Sequence, residues 1–146
     1  MYDLDQIKKL KGFSGADILD KGRLFYPTLK ELIANVSIRA EDCVIEGEVI
    51  LPEFIPDLAN KYNIKCCFLG LSKTSLEDII THGGFFNWPQ YKLDNNLGYE
   101  IADLAQRTVD KSTTIQNEAK KYKLPYFDLS ANYPEESKAA LNSLLK

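Results

Sequence analysis

With 146 residues, 45% hydrophobic content and a formal net charge of −3, the chain can bury one core of ordinary size. Its acidic balance argues against nucleic acid as a main partner, because neutralising phosphates takes a basic surface. No apolar run is long enough to cross a bilayer and the amino-terminal MYDLDQIKK has no signal-peptide core, so a cytoplasmic protein without a membrane partner is expected. Asp5 to Lys11 can begin a short helix that Gly12 ends, and residues 12–26 read as an irregular connection anchored by Phe13, Leu24 and Phe25. Thr28-Leu29-Lys30-Glu31 has capping-box spacing and predicts a helix through about Arg39. Residues 43–51, CVIEGEVIL, predict a strand buried on both faces, since Val44, Ile45, Val49, Ile50 and Leu51 can fill such a sheet. Glu46 and Glu48 interrupt it, either as a solvated or salt-bridged bend or as acids facing a substrate where a strand runs into a loop. Pro52 and Pro56 fit the first turn of a helix that continues through Tyr62.

Ile64 to Leu71, IKCCFLGL, predicts a second buried strand. Cys66 and Cys67 lie within it. With Cys43 they make an odd set, which fits buried free thiols better than a disulfide framework or a zinc site. Thr74-Ser75-Leu76-Glu77 is a second capping box, and Gly83 is placed to end the helix it opens. Residues 83–96 form a lid-like segment whose Phe85, Phe86, Trp88 and Tyr91 either stack on a ring or anchor the loop to the body. A long helical pattern follows from about Leu97 to Lys123, with a kink expected near Ser112-Thr113-Thr114. Tyr126 to Leu129 predicts a short strand, and 134–145 a terminal amphipathic helix. Alternating strand and helix signals predict a single α/β domain over 1–146, a layered fold with a mostly parallel sheet flanked by helices.

The segment CVIEGEVILPEFIP at 43–56 carries an EGxxIxPE pattern. It is followed in order by an apolar strand, a lid-like segment, a long helix, a YFD strand and a last helix. This order resembles the body of small P-loop kinases of the nucleoside and nucleotide kinase type, including poorly characterised bacterial members. The resemblance covers most of the chain, and MYDLDQI is similar to the end of that family's second strand, where an acid pair lies near the phosphoryl acceptor. It implies a small-molecule or nucleotide substrate. The family's phosphate loop, GxxxxGK(S/T), occurs nowhere in the sequence; Gly83-Gly84, the one glycine pair, has no Lys-Ser/Thr after it. By the resemblance that loop, with its strand and helix, would precede residue 1. No cofactor is therefore expected for this chain alone, with ATP and Mg entering if the loop is supplied by another chain. A kinase-derived domain of this kind should be inactive alone, and loss of a central strand should drive self-association or recruit a protein partner. The alternative is a non-catalytic ligand- or protein-binding module on the same frame.

Asp3 and Asp5 stand two apart on an extended segment and share a face, where they could hold a metal or accept a proton from a hydroxyl; a helix cap at Asp5 beside a solvated Asp3 is the alternative. The resemblance assigns them the catalytic position. Arg107 and Lys111 lie four apart on one helix, a cationic face that similar kinases use for phosphate and that can equally be a solvated surface. With Glu46 they are the candidate substrate-binding residues. Asp128 closes the last strand, which a strand-to-loop cap explains as well as a functional role. His82 is the one histidine, so a metal cluster built on several histidines is excluded, and its place near a helix end suits a dipole interaction.

Overall fold

The computed structural model describes residues 17–40, 42–75, 78 and 101–145. Asp3, Asp5, the helix expected at 5–11, His82 and the lid-like segment with its aromatics lie outside the described residues. The chain divides into two compact units, Met1–Lys65 and Cys66–Lys146.

In the first unit, α1 (Ile18–Arg39) begins eleven residues earlier than the Thr28 capping box predicts, with Asp17 and not Thr28 as N-cap. Asp17 accepts a hydrogen bond from the Leu19 amide at 3.4 Å. Pro27 therefore lies inside the helix. Proline's fixed φ suits a helix, and the missing N–H forfeits one hydrogen bond without ending it when packing holds both sides. Ile18, Gly22, Leu29 and Ile33 supply that packing as the buried stripe. Leu24, expected as an anchor, is half exposed on another face. Ala40, in the left-handed region at φ 53°, closes the helix by donating its amide to the Ser37 carbonyl at 3.2 Å.

The strand expected at 43–51 does not form. Residues 42–47 are irregular, and a turn follows in which the Ile50 amide reaches the Gly47 carbonyl at 3.4 Å. Val44 is 92% exposed and Cys43 is also exposed, which overturns both the buried strand and the buried thiol at 43. An apolar run becomes a strand only beside a pairing partner, and among the described residues the only paired strands are elsewhere in the chain. Leu51 and Pro52, by contrast, are fully buried. Pro52 opens a 3-10 turn (Pro52–Phe54), and Pro56 sits in the first turn of α2 (Ile55–Lys61), as the proline spacing predicts. Phe54, Ile55 and Leu58 join the core, each such side chain contributing about 1.5–3 kcal/mol on burial.

The second unit begins with Cys66 and Cys67, both free and half-buried. The strand expected over 64–71 contracts to β1 (Phe68–Gly70). Helix α3 (Ile101–Lys121) is continuous through Ser112-Thr113-Thr114, where a kink is expected. The Thr114 hydroxyl donates back to the Asp110 carbonyl at 2.9 Å, a bond of the kind that bends a helix without ending it. Lys123, at φ 57°, ends the helix in a Schellman turn, with its amide on the Lys120 carbonyl at 3.2 Å and the Leu124 amide on that of Ala119 at 2.9 Å. Pro125 then forces an exit into β2 (Tyr126–Asp128). Strands β1 and β2 pair in parallel, with Phe68 opposite Tyr126, Leu69 opposite Phe127 and Gly70 opposite Asp128. Asn132 caps α4 (Tyr133–Leu145) through the Glu135 amide at 3.4 Å.

Helix α3 packs chiefly on β1 and α4 on β2. The fold is a mixed helix and parallel-strand arrangement in which helix dominates. Ala105, Ile115 and Ala119 are buried on α3 among the described side chains, and Phe68 is buried on β1. Among the described residues no helix is long and apolar enough to cross a membrane.

Candidate functional site

The helix that crosses from β1 to β2 must run against the strand direction, and the contacts show it. Ser112 of α3 meets the chain just past β1, its hydroxyl accepting from the Leu71 amide at 3.0 Å, whereas Ala119 bonds Leu124 just before β2. The carboxyl ends of both strands therefore open on the same side, the side on which open parallel α/β sheets place their ligands. Both strands leave that edge in a short polar sequence, Gly70-Leu71-Ser72 after β1 and Asp128-Leu129-Ser130 after β2.

Gly70 is essential to the geometry. A Cβ there would fall 2.1 Å from Tyr126 Oη and 3.0 Å from Ser112 Cβ, so only glycine lets the phenol lie across the end of β1 against α3. Asp128 is then bracketed. The Ser72 hydroxyl donates to Asp128 Oδ2, and the Ser130 amide donates to Asp128 Oδ1 at 3.0 Å. The Leu129 amide holds the Gly70 carbonyl at 2.8 Å, tying the two loops together.

Tyr126 Oη, beside Ser72 and Ser112, and Ser130 Oγ, beside the Asp128 carboxylate, are buried without meeting strict hydrogen-bond geometry among the described residues, as is Thr74 Oγ1 two residues past Ser72 in the chain. Burial without a partner costs a hydroxyl about 1–3 kcal/mol, so such groups point to something that binds them. Burial pushes the Tyr126 phenol up and the Asp128 charge adds to the effect, while Ser72 and Ser112 oppose it; the phenol stays protonated at neutral pH. Those two serines lie close to Tyr126 Oη without meeting it in hydrogen-bonding geometry. For Asp128 burial also pushes upward, but the Ser130 and Ser72 side chains, the Ser130 amide and the charge of Lys73 outweigh it. Its carboxyl lies below the usual range and is ionised.

Of the residues expected from sequence, Arg107 and Lys111 are on α3, N-terminal to Ser112 and so on the carboxyl-edge side of the strands. At 1.5 Å per residue Arg107 stands roughly 7 Å further along the helix than Ser112. Arg107 is exposed and Lys111 half-buried. Glu46 belongs to the first unit and is exposed in the irregular segment, so the strand that would have presented it is missing. Asp128, read only as a cap, is the centre of the cluster. The capping box after β1 sits one residue later than expected: the Ser75 hydroxyl accepts from the Asp78 amide at 3.0 Å and donates to its carboxylate at 2.6 Å. Tyr126, Gly70, Ser72, Ser112 and Ser130 were missed as site residues. Their one sequence signal is the repeated spacing of a serine two residues past each strand end. Among the described residues no group of three or more His, Cys, Asp or Glu is placed to hold a metal.

The first unit has its own polar network, of a different kind. Tyr26 stacks on Phe54 at 4.1 Å between ring centres and donates to Asp57 at 2.7 Å, while Arg23 meets Glu53 at 2.8 Å. These groups are partnered at the surface and act as clasps between α1 and the turn leading into α2. No family model, curated protein or solved structure matches the chain.

Proposed function

We propose that the chain is a kinase-derived α/β domain that binds a small molecule at the carboxyl edge of β1 and β2 and transfers no phosphoryl group by itself. One observation carries the reading: the polar cluster centred on Asp128 lies where two parallel strands end, the usual ligand edge of such sheets. The parallel pairing of the apolar strand with the YFD strand, through a long helix, is the arrangement that a P-loop kinase body would have there. Arg107 and Lys111, on the same side of α3, are the residues we assign to an anionic part of such a ligand.

ATP and magnesium do not fit the residues present. A triphosphate is cradled by successive backbone amides, a lysine and a magnesium-binding hydroxyl in a GxxxxGK(S/T) loop, and these 146 residues contain no such sequence. The cluster is also the wrong sign for phosphate, since its central group is an ionised carboxylate. No phosphoryl-transfer step is assigned to it.

Calorimetric titration with ATP and magnesium tests the proposal directly. The expected result is no saturable heat at micromolar nucleotide and no transfer of labelled phosphate to nucleosides. Saturable micromolar binding, or turnover, would return the chain to the active kinases.

A further inference from the structure

We draw no further inference here: the strongest candidate, the apolar face of α4 on which Leu141 and Leu145 stand exposed four residues apart, carries nothing because nothing in the structure shows what covers it.

Discussion

Both units use a glycine to let a large side chain cross a backbone, and the two crossings differ in chemistry. In the first, a Cβ on Gly22 would fall 2.3 Å from Leu51 Cγ, and the side chain admitted is aliphatic and wholly buried. In the second, a Cβ on Gly70 would meet the oxygen of Tyr126, so the side chain admitted brings a polar atom into the interior. The aliphatic crossing gains stability from burial alone and asks for nothing else. The phenolic crossing leaves an oxygen that meets no hydrogen-bond partner in good geometry among the described residues. A fold tolerates such a cost where the group has work to do. The contrast sets an apolar crossing in the first unit against a polar one in the second.

The strongest way to break the comparison is at Leu51. Leu51→Ala should cost about 2–5 kcal/mol, as for other buried leucines, read from urea unfolding. Gly22→Ala should also destabilise, by about 1–3 kcal/mol, because Leu51 is fully buried and the overpacking exceeds the roughly 1 kcal/mol that alanine gains over glycine in a helix. The sign should reverse in the double variant. With Leu51 truncated, Gly22→Ala becomes neutral or stabilises by up to about 1 kcal/mol, and additive losses would show that the two residues do not share this space.

The second crossing should respond more mildly. Gly70→Ala should cost about 1–3 kcal/mol, and Tyr126→Phe should relieve part of that, since the oxygen is the nearest obstacle and the ring carbon behind it remains at 2.9 Å. Alone, Tyr126→Phe should be close to neutral. Removing a buried hydroxyl that has no partner loses no hydrogen bond and sheds a desolvation cost. A loss above about 1.5 kcal/mol would mean that the phenol is already paired and that the two crossings are alike after all.

The same contrast explains what could be read from the sequence. The run IKCCFLGL and the run CVIEGEVIL are similarly apolar, yet only the first contains a strand. Pairing decides it: Phe68 to Gly70 has β2 beside it, whereas Val44 and Ile45 have no strand partner among the described residues and lie between carboxylates. Local signals survived where the chain itself completes them, as at Pro52 and Pro56 or at Leu124-Pro125. The Thr28 box failed because Asp17 had already started the helix and Pro27 could be carried inside it. The helix that carries Arg107 and Lys111 was legible, and their four-residue spacing puts both on one face of it. Tyr126 was not. Its role depends on an absent side chain at Gly70, 56 positions away, and no local pattern reports such an encounter.

Acid titration should give the smallest effect and the sharpest view of Asp128. Its carboxyl is held below the ordinary range in the folded chain, so folding favours the ionised form. The stability this supplies is complete above the unfolded value, near pH 3.9, and is lost as pH falls through the lower folded value. Asp128→Asn removes that dependence. The variant should be less stable than the unaltered chain at pH 7, and the difference in urea midpoint should shrink steadily from about pH 5 downward as the native carboxylate is protonated. Partial exposure keeps the effect modest, because solvent screens much of the interaction. Asp57 offers the control in the first unit: the Tyr26 hydroxyl, and then Lys61, lower its carboxyl too, but at the surface and with an ion pair already made. Asp57→Asn should therefore change the acid limb less than Asp128→Asn does. A gap between Asp128→Asn and the unaltered chain that stays constant from pH 7 to pH 2 would show that Asp128 acts only through shape, and the case for a charged site at the strand ends would fail with it.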